Sequence, residues 1–233
     1  MGAQWKQKHR VAAASARGKL FGKLTKEIMM AARNGADPAM NAALRMALEQ
    51  ARKQSVPRDT VERAIKKGAG LLDGPVNFDS VTYEGFAPHG VPVIVECLTD
   101  NKNRSASAMR TLFRGGQQAA AGAVSWDFRR CGLVEATPPE GGEDPEEAAL
   151  EADADDVQTD DEGVSSFVTA PESLHAVESA LTERGWTTTS SKLVWLPNNP
   201  MQLDDEQRAE VEVWLARMDA DDDVRNLFVA LAD

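Results

Sequence analysis

The chain has 233 residues, 42% apolar and 27% charged, which excludes wholesale disorder and leaves room for one to three small domains. Its two cysteines, Cys97 and Cys131, exclude a disulfide framework and a CxxC metal knot, and no apolar run approaches the roughly 18 residues of a membrane span. The net charge of −11 conceals a division: residues 1–70 carry 15 Lys and Arg against 5 Asp and Glu, a net of +10, and residues 71–233 carry 11 against 32, a net of −21. A concentrated basic segment is the footprint of a polyanion binder, most often a nucleic-acid binder.

The basic segment is all-helical by pattern. A first helix is predicted over 11–33, stopping near Gly35. Leu20, Phe21, Leu24, Ile28, Ala31 and Ala32 fall on one side of it, with Lys19, Lys23, Lys26 and Arg33 opposite, on an expected solvent face. A second helix is predicted from an Asp37 cap with Pro38 in its first turn, burying Met40, Leu44, Ala47, Leu48 and Ala51. A third begins near Pro57, carries Val61, Ala64 and Ile65, and ends at Gly68; Gly68, Gly70, Gly74 and Pro75 then make a linker. The first 30 residues are basic but lack the apolar segment of a secretory signal; they have the acid-poor, amphipathic look of an organelle transit peptide, yet the same residues read as a structured helix, so a cytoplasmic location is expected.

After the linker the period changes. Strands are predicted over 81–84 and 91–98, a helix over 104–113, and a strand over 123–128 whose Val124, Trp126 and Phe128 alternate onto one face. Then follow a strand over 133–137, an acidic helix over 145–152, a short strand near 157, a strand over 164–169, a helix over 171–184 and a strand over 187–196. That order is the split-βαβ, ferredoxin-like pattern. A helix over 204–218 and a strand over 224–231 end the chain. They supply the helix and strand that 78–131 lacks, so 133–197 is expected to be inserted into a domain made of 78–131 plus 203–233. If so, the last strand pairs outside the 133–197 sheet.

No catalytic constellation is apparent. The three histidines, His9, His89 and His175, are scattered, and no nucleophile elbow, phosphate loop, dinucleotide fingerprint or HExxH occurs. The acidic stretch 143–162 fails as a calcium loop, because counting from Asp153 puts Val157 at the third ligand position and Gln158 where glycine is required. Cys97 is expected to be a buried, reduced thiol, and Glu96, inside an apolar strand, to be paired or at an edge. The candidate nucleic-acid contacts are the cations. Lys6, Lys8, His9, Arg10 and Arg17 form an arm that continues into Lys19, Lys23, Lys26 and Arg33. Arg58, Arg63, Lys66 and Lys67 form a second cluster, and Lys102 and Arg104 sit where a strand feeds a helix. Lys66 and Lys67 are equally suited to complement a helix C-terminus, and Trp5 to stack on a base. No helix-turn-helix or RNA-recognition aromatic motif is evident.

The segment Pro57-Arg58-Asp59-Thr60-Val61-Glu62-Arg63-Ala64-Ile65-Lys66-Lys67-Gly68 resembles a motif of the YebC/PmpR family. So do Tyr83-Glu84-Gly85 with Pro88 and Gly90-Val91, Val93-Ile94-Val95-Glu96-Cys97-Leu98-Thr99-Asp100-Asn101, Asn103-Arg104, and Val124-Ser125-Trp126-Asp127-Phe128. The basic start, Gly2 to Arg10, is shorter than the family's, and Gly115 to Gly122 departs from its Gly-Gly-Asn-Leu-Gly stretch. The resemblance implies an α+β fold: an N-terminal three-helix domain followed by two α/β ferredoxin-like domains, one inserted in the other. The expected domains are 1–74, 78–131 plus 203–233, and 132–202. It also implies a non-enzymatic, cytoplasmic, DNA-binding transcriptional regulator without cofactor, metal, membrane or small-molecule substrate. The alternative is a ribosome-associated translation factor that binds rRNA and relieves stalling, for example at proline runs, since the resemblance extends to proteins, a mitochondrial translational activator among them, that act on the ribosome. A third reading treats the acidic body as a protein-interaction module. Oligomeric state is left open.

Overall fold

Apolar residues at helical spacing build the N-terminal bundle. The computed structural model of the chain describes residues 18, 20–72 and 78–232. Helix α1 covers 20–32, α2 Ala42–Lys53 and α3 Arg58–Gly68. Leu24, Ile28, Met29, Ala32, Leu44, Ala51, Val56 and Ala64 form their shared core. Gly68 is fixed by helix crossing: a Cβ there would lie 2.2 Å from the Met29 carbonyl oxygen. Helix α2 starts later than the sequence predicts. Asp37 accepts from the Ala39 N–H and closes only a turn, while Asn41 is the cap, accepting from Leu44 N. The Asn41 amide also donates to the carbonyls of Ala31 and Gly35, each at 2.8 Å. This buried, fully bonded side chain defines the helix start, and leaves Met40, expected in the core, 88% exposed. The linker residues Gly74 and Pro75 lie outside the described residues.

Strands β1 (Asp79–Phe86) and β2 (Pro92–Thr99) form an antiparallel hairpin in register from Asp79↔Thr99 to Phe86↔Pro92. Helix α4 (Lys102–Leu112) follows, capped by Asn101, and then the two-residue strand β3, Gln117–Gln118. Close approach of β3 to β1 requires glycine at Gly85, where a Cβ would lie 2.4 Å from the Gln117 carbonyl oxygen.

The strand expected over 123–128 is absent. Ser125–Asp127 is instead a 3₁₀ turn, and strand β4 runs Phe128–Thr137. The turn breaks the two-residue alternation, so Val124 and Phe128 are buried while Trp126 faces out. Helix α5 (Pro145–Glu151), strands β5 (Asp156–Thr159) and β6 (Ser165–Thr169), helix α6 (Leu174–Glu183) and strand β7 (Thr187–Pro197) follow. Their sheet has the order β5-β6-β4-β7 with every pairing antiparallel. The first and third strands of this βαββαβ unit are therefore central neighbours, the split-βαβ arrangement. Phe167 and Trp186 meet edge-to-face at 5.1 Å inside its core.

Helix α7 (Asp205–Asp219) buries Val211, Trp214 and Met218, and Trp214 packs edge-on against Phe113 at 5.5 Å. Strand β8 (Val224–Val229) lies beside β2, giving the order β3-β1-β2-β8. The protein is thus α+β: N-terminal helices, then two antiparallel sheets. The chain divides into two compact units, Met1–Ala123 with Leu203–Leu227, and Val124–Gln202 with Phe228–Asp233. No described helix is long and apolar enough to cross a membrane.

Candidate nucleic-acid interface

Charge pairing sorts the cations. Lys6, Lys8, His9, Arg10, Arg17 and Lys19, with Trp5, lie outside the described residues. On α1, Lys23 and Lys26 do not present the open solvent face predicted for them. Lys23 Nζ donates to the Asp219 carbonyl at 2.7 Å and pairs with its carboxylate at 2.8 Å. Lys26 Nζ reaches the Asp223 carboxylate at 2.7 Å and the Asp222 carbonyl at 2.8 Å. Both lysine side chains are only about one-fifth exposed, at 21% and 20%. The reason is topological. The turn between α7 and β8 lies against α1, and its acidic residues come from a part of the sequence that helix periodicity cannot connect to Lys23.

Asp223 is the hub of this contact. Its side chain is 7% exposed and also accepts from Thr99 Oγ1 at 3.0 Å and from Arg104 at 3.4 Å. Burial disfavours its charge, but hydrogen bonding and charge from Lys26, with Thr99 and Arg104, outweigh burial and hold its pKa below the ordinary value. Arg104 is thereby shared between Asp100 at 2.7 Å and Asp223; Lys102 pairs with Asp79 at 3.2 Å. Asn101 takes the Arg104 N–H at 3.1 Å, so the start of α4 satisfies itself by capping.

Helices α2 and α3 differ. Arg63, Lys66 and Lys67 are exposed, lie within one helical turn of each other, and have no acidic partner among the described residues. At 100° per residue Lys66 lies opposite Ala64 and Gly68, the buried face of α3, and Arg63 and Lys67 stand on its two flanks. Arg58 is exposed and pairs with Glu62 at 2.9 Å. Arg33 is exposed in the turn after α1. The sequence reading missed Arg45, Arg52 and Lys53, which are exposed on α2. Their i, i+7 spacing between Arg45 and Arg52 was the available signal. The last turns of α2 and α3 each end in two cations, Arg52-Lys53 and Lys66-Lys67, where the helix dipole is negative.

The potentially reactive groups are quiet. Burial pushes the Cys97 thiol up to about 12, and burial raises Cys131 as well, so neither supplies a thiolate. Glu96 accepts from Asn226 at 2.9 Å, and buried Glu84 accepts from Gly122 N at 2.8 Å, bracing the loop before the 3₁₀ turn. His89 Nε2 lies 2.8 Å from Glu210, and His175 is exposed, 3.8 Å from Glu178. Among the described residues no group of three His, Cys, Asp or Glu is placed to hold a metal ion.

Comparison with known proteins covers nearly the whole chain. The profile described as the TACO1/YebC protein N-terminal domain matches residues 2–71, and that of the TACO1/YebC second and third domain matches residues 78–231. A protein of Pseudomonas fluorescens strain Pf0-1 is 56% identical over 233 residues, covering 100% of both chains. One of Pseudomonas syringae pv. syringae is 58% identical over the same span, and one of Bdellovibrio bacteriovorus is 48% identical over 99% of this chain and 100% of its own. All three bear the name "Probable transcriptional regulatory protein". The crystal structure of a conserved hypothetical protein from Aquifex aeolicus superposes with a TM-score of 0.78 at 40% identity, over 93% of this chain and 90% of that one. By these matches the chain belongs to the TACO1/YebC family.

Proposed function

We propose that this chain is a non-enzymatic regulator of transcription that acts in the cytoplasm by binding DNA through the phosphate backbone. The observation that carries this is the exposed surface of α3: Arg63, Lys66 and Lys67 exposed together, without acidic partners among the described residues. Arg52 and Lys53 at the end of α2 extend the positive surface. Such cations neutralise phosphates and release counterions, giving affinity that falls steeply with salt and depends little on sequence. The names borne by the relatives support a regulatory role. Lys23, Lys26, Lys102 and Arg104 serve a different purpose in this reading: their carboxylate partners make them fasteners of the fold, while the cations of residues 6–19 add to the phosphate grip. The expected division into 1–74, 78–131 plus 203–233, and 132–202 assigns that grip to the first domain.

The test is fluorescence anisotropy with a labelled DNA duplex across a salt series. Wild type should bind with a steep negative slope of log affinity against log salt. Arg63→Gln with Lys66→Gln and Lys67→Gln should weaken binding at least tenfold at low salt and flatten the slope by about 2–3, near 0.9 for each lost phosphate contact. An unchanged slope in the triple variant contradicts the assignment. Tighter binding of an RNA duplex of the same length contradicts DNA as the target.

A further inference from the structure

Helix α7 presents apolar surface on a second side, away from the side it buries. At 100° per residue Glu206, Glu210, Val213 and Arg217 fall within about 60° of one another, on a flank of the helix distinct from that of Val211, Trp214 and Met218. Val213 on this flank is 74% exposed, and Ala209 beside it is exposed too. The flank is one wall of an open groove of about 640 Å³; Pro88, Arg114 and Gly115 line the other side, and Trp214 lies at its base. All of these residues belong to one compact unit.

The groove is braced. The Trp214 indole N–H donates to the Arg114 carbonyl at 3.3 Å, and Arg217 Nη2 donates to the Leu112 and Arg114 carbonyls at 2.9 and 2.6 Å. His89, at a left-handed φ of 61°, sets its Nε2 2.8 Å from the Glu210 carboxylate. A surface fixed in this way loses little freedom when it is covered. Its charges are ordered along the helix: Glu206 and Glu210 occupy the N-terminal half of the wall and Arg217 the C-terminal half. Neither Glu206 nor Arg217 has an oppositely charged partner among the described residues.

That order is self-complementary. The wall calls for a segment with the same charge order running the other way, and the chain's own α7 is such a segment. Laid antiparallel about a two-fold axis between positions 211 and 212, two α7 helices set each Glu206 beside the partner's Arg217. The two Val213 side chains then meet at the centre, about 5 Å apart along the helix axis, with Ala209 next to them. The centre is apolar and the ends are ion-paired, as in helix pairs that cross at about 20°. The stripe is short, so the contact is weak.

We propose that the groove beside α7 is a self-association surface, through which two copies of this chain form a two-fold symmetric dimer by antiparallel packing of their α7 helices. It goes beyond the nucleic-acid reading and does not depend on it. The test is sedimentation velocity of the full chain without nucleic acid. The series runs from about 1 to about 300 µM, a range that spans the affinity of a small interface. Salt is held at about 0.15 M, where the net charge of −11 is largely screened. The wild-type coefficient should rise with concentration toward that of a dimer. Val213→Glu, which sets two carboxylates together at the axis, and Glu206→Arg, which faces the partner's Arg217, should each weaken association at least tenfold. Arg217→Glu should do the same, and an equimolar mixture of Glu206→Arg and Arg217→Glu chains should recover association, because the mixed pair restores both Glu–Arg contacts. Circular dichroism checks that each variant is folded; if Arg217→Glu unfolds with the loss of its two carbonyl contacts, Val213→Glu and Glu206→Arg decide the matter. A wild-type chain that stays monomeric over the whole range overturns the proposal. So does a dimer that folded Val213→Glu and Glu206→Arg leave at wild-type strength, since it forms through another surface, and so does a mixture of folded variants that fails to associate. None of these results bears on the duplex-binding test of the α3 cations.

Discussion

Lys26 and Asp223 are separated by 197 positions in the chain and by 2.7 Å in the fold. A buried carboxylate with one lysine, one threonine and one arginine donor keeps its charge, whereas the same carboxylate stripped of Lys26 is left poorly compensated. Lys26→Met should therefore destabilise the protein by about 2–4 kcal/mol in urea denaturation, more than an exposed lysine ever costs. Because the folded pKa of Asp223 is depressed, its contribution is complete above the ordinary aspartate value of about 4 and is lost as pH falls through the lower folded value. Denaturation midpoints measured from pH 7 to pH 2.5 should decline less steeply in Asp223→Asn than in wild type. Reversing Lys23 and Lys26 to Glu would set like charges against Asp219 and Asp223, so such a variant reports on folding before it reports on binding. The amphipathic pattern of α1 was legible from its sequence; the partner of its polar side was not, because periodicity describes one helix at a time. Gly68 carries a related lesson. Gly→Ala in a helix is ordinarily stabilising, but here the added methyl meets the Met29 backbone, and Gly68→Ala should lower stability by about 1–3 kcal/mol.

Among the elements, α3 is the one whose sequence and structure agree most closely, because both its ends are set locally. Pro57 precedes its first turn, and the helix closes at Gly68. Its cations should accordingly be separable from its folding. Replacing Lys66 and Lys67 by Gln removes favourable interactions with the helix C-terminus, costing about 0.3–1 kcal/mol each, and should leave the thermal transition cooperative. Helix α2 and the 125–127 turn were less legible for opposite reasons. At α2 the sequence points to Asp37 as the cap, whereas the structure uses Asn41, held by the carbonyls of Ala31 and Gly35, which helix patterning does not reveal. Asn41→Ala, losing the cap and two further hydrogen bonds, should cost about 2–3 kcal/mol in chemical denaturation. At the turn, alternation of Val124, Trp126 and Phe128 imitates a strand, but a 3₁₀ step leaves the first and last inside and turns the indole out.

For the whole molecule, the order of elements was more informative than their bounds. The surplus helix and strand at the C-terminus called for a sheet elsewhere in the chain, and β8 lies beside β2. The third strand of that sheet was misplaced, since β3 is two residues long and glycine, rather than an apolar pattern, marks its approach. Removing residues 203–233 would strip β2 of a neighbour and expose the packing partners of Trp214, Met218 and Val224, each burial being worth about 1.5–3 kcal/mol. The truncated chain should lose cooperative unfolding by circular dichroism and aggregate through the uncovered strand edge. Charge follows the same large-scale order: the basic excess belongs to residues 1–70 and the acidic excess to the remainder. Part of that basic excess is consumed inside the fold by Asp219 and Asp223; in the proposed function the cations of α2 and α3, with those of residues 6–19, meet the polyanion. The most direct test is the salt dependence of duplex binding in the folded Arg63→Gln, Lys66→Gln, Lys67→Gln variant. The account predicts at least a tenfold loss of affinity at low salt and a flatter salt slope; wild-type affinity with a wild-type slope would contradict it.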